Sequence, residues 1–468
     1  MSIINAFNIS RTGLSATSQW AEMVSGNIAN ADNESYGRRS LTRETMAGGA
    51  AVAIGVRRES DEALNRMYRE ELAKLERQEA IASGLTAYTS LLGGLGESGS
   101  PVQRLNALQD NFDLLFNDPS NVAGQQGTLT AAQSLASGLN TLSDELDITS
   151  KETRDAIGAD LTQVNDLMTK VSGLNRRIAQ ASPDSELMAT LQDQMSETLN
   201  ALAGYMDFRT DTDNTGQIDL LTPGGLRLVE GETVYPISYT VGDGTLRADG
   251  ADISPGTTNG LSEGRLVGHV ELLNDTLPQM RLQLDEFART VIETFEDADA
   301  TLTPGDAGLF TDDGLAYDPA QLTGLAGRIA VNTAVMPDQG GALWRLRDGI
   351  GATAPGSAGS TAQIGAFIDG MNAQHSFDGA TGISSDITLT EYGAAMIAQQ
   401  QNIRAEASDQ QQALVASTSS IDAARLNAQG VNIDDELQQL LLIEKTYAAN
   451  SQVVSTLSQM LDVLLAAV

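Results

Sequence analysis

The chain contains 468 residues, and its 28 Lys and Arg against 62 Asp and Glu give a net charge of -34. A charge of this sign repels phosphate backbones and anionic lipid surfaces, which argues against binding to nucleic acids or membranes. The absence of Cys excludes disulfides, thiolate metal ligands and a cysteine nucleophile. Aromatic residues make up only 4% of the sequence, so long helices with narrow apolar seams are favoured over one thick core.

Both ends of the chain repeat apolar residues on a seven-residue grid, which predicts a helix with one narrow seam at each end. Ser10 and Thr17 interrupt the first grid, and Glu436 and Asn450 interrupt the last. A single helix has nothing against which to bury such a seam, so each end requires a partner, and the simplest is the other end. The predicted seam consists of Phe7, Leu14, Val24, Ile28, Leu440, Ile443, Tyr447, Val454, Leu457, Leu461 and Leu464.

Between the ends, the periodicity changes from helical to extended and back. Period-two alternation and turn residues such as Pro223-Gly224-Gly225 predict a β-rich unit at 205–260, and 301–385 is rich in Gly and Ala with one strand candidate at 328–331. Helical periods cover 59–95, 101–116, 128–146, 151–181, 184–204, 262–298 and 388–424.

The predicted fold is therefore mainly α with a β-rich middle, combining terminal coiled-coil helices, an elongated helical rod and a small outer β or irregular lobe. This layout is nested and brings the two termini together. The predicted parts are 1–57 with 425–468 as the terminal assembly region, 58–204 with 261–300 and 386–424 as the rod, 205–260 as the β-rich unit, and 301–385 as the outer lobe.

One motif raises the possibility of hydrolysis. The residues around Ser262 fit the G-x-S-x-G nucleophile elbow, and His375 follows in the order of an α/β-hydrolase. An elbow requires an apolar strand before the serine, whereas residues 254–259 have the composition of a loop, so a turn at the start of a helix is favoured. His269 and His375 are the only histidines and lack neighbouring ligands. We therefore predict no catalytic, cofactor-binding or metal-binding residues.

Residues 24–39 contain a helix end that runs into turn residues. This segment resembles the N-terminal signature of bacterial flagellar axial proteins, in which S-x-N-I-A-N-A-N precedes a turn, a Gly-Tyr pair and a basic residue. Asp32, Glu34 and Ser35 stand where Asn, Pro and Gly are usual. The residues carrying the signature are Ser25, Asn27, Ile28, Ala29, Asn30, Tyr36 and Arg38.

Other segments resemble one branch of these proteins, the hook-associated protein 1 family of the hook-filament junction. The last part of the chain, from 431–437 through 447–456 to 460–462, is similar to the closing signature of that family. Inner segments at 117–120, 224–231 and 264–286 agree with it. The resemblance covers most of the chain and is weakest over 311–385.

The resemblance implies a structural adaptor without enzymatic activity or cofactor, located outside the cell in the flagellum. It implies that copies assemble with each other, with the hook protein and with the second hook-filament junction protein. It also implies unfolded export by the flagellar secretion apparatus and an export chaperone that binds Val454, Leu457, Leu461 and Leu464. Two alternatives stay open: another axial protein (the second junction protein or a hook or rod subunit), and a secreted serine hydrolase using Ser262.

Overall fold

The structure is a computed structural model that describes residues 3–46 and 50–466, without the side chain of Leu464. Helices dominate this part of the chain and small sheets separate them, so the predicted class, mainly α with a β-rich middle, is confirmed. The α-helices are α1 (Ile3–Ala29), α2 (Glu62–Gly84), α3 (Thr86–Leu92), α4 (Pro101–Asn117), α5 (Val122–Gln180), α6 (Glu186–Tyr205), α7 (Arg265–Glu271), α8 (Leu277–Asp297), α9 (Leu325–Arg328), α10 (Arg345–Asp348), α11 (Ala362–Asn372), α12 (Leu389–Gln429) and α13 (Ile433–Ala466).

The strands form small antiparallel sheets. Three sheets are two-stranded and pair β1 with β2, β10 with β11 and β12 with β13; the other two have the orders β3-β4-β5-β6 and β7-β8-β9. The strands are β1 (Arg39–Thr45), β2 (Ala51–Arg58), β3 (Arg209–Thr212), β4 (Ile218–Leu221), β5 (Arg227–Glu230), β6 (Thr233–Val234), β7 (Ile237–Thr240), β8 (Thr245–Ala248), β9 (Ala251–Asp252), β10 (Phe310–Asp312), β11 (Ile329–Val331), β12 (Gln374–Ser376) and β13 (Asp386–Thr388).

Contacts within the chain group the residues into two units. The terminal unit comprises Met1–Arg77, Ala159–Val267 and Gln411–Val468, and the second unit comprises Gln78–Gly158 and Gly268–Gln410. The four-part division expected from the sequence stays a prediction.

The second unit is built around a cluster of buried aromatic rings. The ring centroid of Phe295 lies 5.8 Å from that of Phe112 and 5.2 Å from those of Phe310 and Phe367. Such ring pairs add about 0.5–1.5 kcal/mol each beyond the burial of their area. Phe310 and Phe367 come from the Gly/Ala-rich range 301–385, so this range contributes directly to the core of its unit.

In the terminal unit, two asparagines of α5 attach the β-rich residues to the helix. The side chain of Asn165 donates to the carbonyl of Ile237 and accepts from its N–H, both at 2.9 Å. Asn175 makes the same pair of bonds to Ile218, at 2.8 and 2.9 Å. Each amide completes backbone hydrogen bonds that a strand edge would otherwise leave open. The β-rich segment is therefore held by polar contacts as well as by its apolar face.

Three local features differ from the sequence-based expectation. The helices expected at 128–146 and 151–181 are one continuous helix, α5, because the intervening polar residues stay helical, with Thr153 bonding back to the carbonyl of Thr149 at 2.7 Å. The helix expected over 262–298 is interrupted by a π-turn at Leu272–Thr276, next to Pro278, which lacks an N–H. The hairpin of β1 and β2 lies in a region for which the sequence analysis predicted no strands.

Gly264 marks a close approach of the backbone in the terminal unit. Its φ is +107°, its N–H donates to the carbonyl of Ala73 at 3.0 Å, and a Cβ there would lie 2.4 Å from the carbonyl oxygen of Tyr205. Only glycine fits this combination of positive φ and close backbone contact.

We expect Gly264→Ala to lower the free energy of unfolding by about 2–5 kcal/mol, combining about 1–2 for the left-handed backbone and about 1–3 for overpacking. The matched control is Gly256→Ala, because Gly256 has a φ of +81° but nothing within 4 Å of an added Cβ. In urea denaturation, the control Gly256→Ala should lose only the about 1–2 kcal/mol of unfolding free energy that comes from the left-handed backbone. Equal losses in the two variants would contradict the role of the backbone contact.

Candidate functional site: the paired terminal helices

The first and last helices of the described chain, α1 and α13, pack against each other. The inner face of α1 is formed mainly by small and polar residues, since Ser10, Thr17 and Asn27 are buried there together with Val24. Gly13 allows a close approach: a Cβ at this position would lie 3.3 Å from the Nδ2 of Asn450. The two residues that interrupt the apolar grid of α1 are therefore among its most buried.

The inner face of α13 also has a seven-residue rhythm. Glu436 and Ile443 are buried, and the other inner positions are half-buried. Trp20 of α1 donates from its indole Nε1 to Gln439 of this face at 3.1 Å, and the guanidinium of Arg43 lies 3.9 Å above the indole ring. The half-buried positions are Gln439, Thr446, Asn450, Val454, Leu457 and Leu461.

Most residues of the predicted seam lie on these inner faces, but two do not. Leu440 is 38% exposed and Tyr447 is 52% exposed, because the inner face runs through their neighbours Gln439 and Thr446. The side chain of Leu464 lies outside the described residues. Whether the seam acts as an assembly surface stays a prediction. The residues on the inner faces are Phe7, Leu14, Val24, Ile28, Ile443, Val454, Leu457 and Leu461.

The amide of Asn27 is the centre of the signature segment. Its Nδ2 donates to the carbonyl of Arg39 at 2.9 Å and to Oε2 of Glu436 at 3.2 Å. Its Oδ1 accepts from the hydroxyl of Tyr36 at 2.9 Å and from the N–H of Arg39 at 3.1 Å. All four hydrogen-bonding positions of the amide are thus occupied, which fixes its orientation. The contact to Glu436 connects α1 to α13.

Arg38 makes the second contact to the same carboxylate. Its Nε donates to Oε1 of Glu436 at 2.8 Å, while its backbone N–H donates to the carbonyl of Gln429 at 2.8 Å. Burial favours a lower pKa for Arg38, but the hydrogen bond and charge of Glu436 raise the pKa above its usual value. The Glu436 side chain is fully buried, so both partners are needed to compensate for its desolvation.

The residues on both sides of Arg38 are anchored to α6. The backbone N–H of Gly37 donates to Oδ1 of Asp193 at 3.0 Å, and Nε of Arg58 donates to the same oxygen at 2.6 Å. Arg39 donates to Oδ2 of Asp193 at 3.3 Å and stacks over the ring of Tyr36 at 4.7 Å. Burial raises the pKa of Tyr36, so its hydroxyl stays protonated as the donor to Asn27. One carboxylate on α6 therefore ties the signature segment to the hairpin of β1 and β2.

The other signature residues support the helix end. Asn30 donates from Nδ2 to the carbonyl of Gly26 at 2.8 Å, in addition to the backbone N–H of Asn30 that donates to the same carbonyl at 3.2 Å. Ile28 is half-buried, and Ser25 and Ala29 are exposed. The structure thus joins Asn27, Tyr36 and Arg38 in one network and leaves Ser25 and Ala29 outside it.

A row of apolar side chains on α13 is exposed. Leu441 is 59% exposed, and together with the exposed Tyr447 it borders a cavity of about 430 Å³ whose other wall includes Ala21 of α1. Exposed apolar side chains in this number on one helix, here on more than one side of it, are typical of an interaction site. The exposed apolar residues of α13, hereafter the exposed row, are Ile433, Leu437, Leu440, Leu441, Leu442, Tyr447, Val453, Met460, Val463 and Leu465.

Sequence reasoning missed the partners of the signature. In the sequence, Glu436 is distinguished only as a polar residue at an apolar position of the seven-residue grid. Such a residue indicates a buried charge that has a partner. Asp193 lies on a helix far from the signature in sequence, and no sequence pattern distinguishes it. Its contacts with Gly37 and Arg58 are therefore evident only in the folded chain.

The residues proposed for a hydrolase are held by structural contacts. The backbone N–H of Ser262 donates to the carboxylate of Asp207 at 3.0 Å, and no strand leads into this serine, because the preceding strand, β9, ends at Asp252. A ring nitrogen of His375 lies 2.9 Å from the carbonyl of Gly370. Over residues 3–46 and 50–466, no three His, Cys, Asp or Glu side chains form a metal-binding group, and no helix has the length and apolarity to span a membrane.

Comparisons with known proteins find similarity to flagellar proteins. Residues 90–303 match the family described as the flagellar hook-associated protein FlgK helical domain, and residues 423–467 match the flagellar basal body rod FlgEFG protein C-terminal family. A relative from Bacillus subtilis (strain 168), flagellar hook-associated protein 1, is 21% identical over 97% of this chain and 96% of its own length. These matches show that the chain is similar to the flagellar hook-associated protein 1 family.

Two further similarities are more restricted. The flagellar hook-associated protein 1 of Escherichia coli (strain K12) is 23% identical over 62% of this chain and 56% of its own length. A solved structure of the flagellar hook junction protein FlgK from Burkholderia pseudomallei covers 53% of this chain and 46% of its own, with 18% identity and a TM-score of 0.44, which is too distant to support a conclusion. Members of the hook-associated protein 1 family are structural proteins of the flagellum, and this chain is a flagellar component.

We expect Glu436→Ala to lower the free energy of unfolding of the terminal helix pair by about 3–5 kcal/mol, because Arg38 and the amide of Asn27 lose a buried acceptor. Glu436→Gln keeps one acceptor oxygen and should lose less. Trp20 reports on the pair directly, so urea denaturation can be followed by its fluorescence in a Trp344→Phe background.

The control for this experiment is Glu444→Ala, which removes an exposed carboxylate from the same helix. It should change the unfolding free energy by less than about 1 kcal/mol. A loss in Glu436→Ala no larger than in the control would show that the buried network does not stabilise the pair.

Proposed function

We propose that the chain is a structural adaptor that self-assembles through its paired terminal helices into the layer between hook and filament. The observation that carries this proposal is the exposed row on α13, beside the contact with α1. Burying a Leu or similar side chain contributes about 1.5–3 kcal/mol, so several residues of this row supply a driving force for association. The low net charge of the two ends reduces repulsion between copies there, in contrast to the acidic middle.

The proposed partners are further copies of the chain, the hook protein on one side of the layer and the second hook-filament junction protein on the other. Export through the flagellar secretion apparatus would place the layer outside the cell. The chain would act without a cofactor and without enzymatic activity. Electron microscopy of flagella from a strain lacking the chain tests the location, since filaments should then fail to attach to hooks.

Two alternatives are less well supported. The match of residues 90–303 to the hook-associated helical domain favours hook-associated protein 1 over another axial protein, such as the second junction protein or a hook or rod subunit. The position of the chain in purified flagella separates these. A serine hydrolase would be revealed by covalent labelling of Ser262 with a fluorophosphonate probe, but its hydrogen-bonded loop offers no nucleophile elbow.

We expect Leu441→Asp to abolish incorporation into flagella while leaving the monomer as stable as wild type. Leu441 is 59% exposed in the monomer, so the substitution removes no buried contact there, and it removes an apolar contact only in the assembled protein. The matched control is Leu315→Asp, which introduces the same charge at a residue that is 72% exposed in the second unit. Cells producing each variant in place of wild type can be scored for motility and for the variant in isolated flagella. Normal incorporation of Leu441→Asp would remove the exposed row from the mechanism.

The export chaperone is proposed to bind the end of α13 through Val454, Leu457, Leu461 and Leu464, laid into an apolar groove. In the folded chain the first three of these side chains are half-buried on the face toward α1. A chaperone that uses this face must therefore displace α1, and binding and helix pairing must exclude each other.

This competition predicts opposite effects of two changes. A chain ending at Asn450 should lose the chaperone, whereas Gly13→Val should bind it more tightly, because a larger residue at Gly13 clashes with Asn450 and weakens the competing helix pair. Pull-down with purified chaperone measures both, and Gly96→Val, at a glycine with nothing within 4 Å, is the control. Retention of full affinity by the shortened chain would place the binding site elsewhere.

A further inference from the structure

The exposed apolar residues of α13 lie on different sides of the helix in its two halves. In the first half they directly follow residues of the inner face, as Leu440 follows Gln439. In the second half they directly precede such residues, as Met460 precedes Leu461. Each residue of an α-helix is rotated by about 100° from the one before it, always in the same direction. A residue just after the inner face and a residue just before it therefore lie on opposite sides of that face.

Each half of α13 has an apolar patch beside a cavity that α1 helps to line. The proximal patch borders the cavity of about 430 Å³ in the first half and consists of Leu440, Leu441 and Tyr447. The distal patch borders a cavity of about 500 Å³ in the second half and consists of Met460 and Val463. Ile3 of α1 lines this second cavity. Twenty residues of helix, about 30 Å, separate Leu440 from Met460, so the patches are distinct surfaces.

The surroundings of the two patches differ in charge. The first turn of α13 is acidic, and Glu444 lines the cavity of the proximal patch. After Lys445, the only charged residue of α13 is Asp462. The stretch of α1 beside this second half, residues 3–13, contains one charged residue, the exposed Arg11. The proximal patch therefore lies in an acidic surface, whereas the distal patch lies in a nearly neutral one.

These differences favour one way of joining two copies. A two-fold symmetric contact pairs a patch with the same patch of the second copy. For the proximal patch, this contact would bring two Glu444 side chains and two acidic first turns together, which is repulsive. It would also leave both distal patches in water. A head-to-tail contact, in which the proximal patch of one copy meets the distal patch of the next, covers both apolar surfaces and keeps the acidic surfaces apart.

We propose that the proximal patch of one copy packs against the distal patch of the next copy, so that α13 binds a different neighbour on each of its two sides. This inference rests on the proposed self-assembly and assigns a specific contact to it. The side chain of Leu441, exposed in the monomer, enters the cavity between Ile3 and Met460 of the next copy. Two joined copies still have one free patch of each kind, so association continues beyond a pair.

Cross-linking tests which patches meet. The chain contains no Cys, so introduced thiols are the only ones that react. Glu444→Cys marks the proximal cavity and Gln459→Cys marks the distal cavity, and both side chains are exposed and outside the apolar patches. Flagella from cells that produce both variants together, or either one alone, are treated with a short bismaleimide. Cross-linked pairs of copies should be about tenfold or more abundant in the mixture than with either variant alone, because head-to-tail contact joins unlike cavities.

Two results of the cross-linking would overturn the proposal. Equal yields with Glu444→Cys alone and with the mixture would indicate a two-fold contact, and no cross-link in flagella that contain both variants would show that the patches do not meet. Ser18→Cys and Thr456→Cys mark the same two cavities and form a second pair, which separates an unreactive position from an absent contact. Absence of the wild-type chain from flagella would instead contradict the proposed function.

The distal patch can also be tested by substitution. Met460→Asp should reduce incorporation into flagella as strongly as Leu441→Asp, although the two residues lie in different halves of α13, because each substitution removes one side of the same contact. The matched control is Ala448→Asp, which introduces the same charge at an exposed residue of α13 outside both patches. Thermal unfolding of each purified monomer checks that the fold is intact. Incorporation of Met460→Asp equal to that of Ala448→Asp would overturn the proposal and leave the role of the proximal patch unchanged.

Discussion

The buried carboxylate of Glu436 is the contact on which the arrangement of the terminal helices depends. A carboxylate removed from water is tolerated only when donors replace its hydration, and here Arg38 and the amide of Asn27 do so. Because these donors lie on the signature segment and the acceptor lies on α13, the network specifies which residues of the two ends meet. The rest of the interface combines apolar residues on a regular seven-residue spacing with small and polar ones such as Gly13 and Asn450, and regular apolar spacing alone is compatible with more than one register.

The inner face of α13 differs in polarity from the rest of the helix. Its inner face carries polar contacts to α1, and the exposed apolar side chains outside that face are available for the proposed association with neighbours. Leu440 and Tyr447 belong to the outer face, although the heptad grid assigns them to the seam. The grid follows apolar residues, so it selected Leu440 and Tyr447, whereas the inner face that contains Glu436 passes through their polar neighbours Gln439 and Thr446.

The sequence was sufficient for long, strongly periodic elements and insufficient for contacts between distant residues. Helical periodicity and capping residues predict the terminal helices, α4, α6 and α12. At the start of α4, for example, the hydroxyl of Ser100 accepts from the N–H of Gln103. The hairpin of β1 and β2 was missed because its pairing depends on partners outside the hairpin, such as Asp193 for Arg58.

The separation of the paired helices along the chain has a consequence for the order of events in the life of the protein. The hydrogen bond between Trp20 and Gln439 joins residues 419 positions apart. Synthesis delivers the chain from one end to the other, so α1 has no partner until nearly all residues have followed. Closure of so long a loop is also entropically unfavourable before the intervening units have folded. The terminal pair is therefore the last contact to form, and the molecule becomes competent for its final arrangement only when its entire length has arrived.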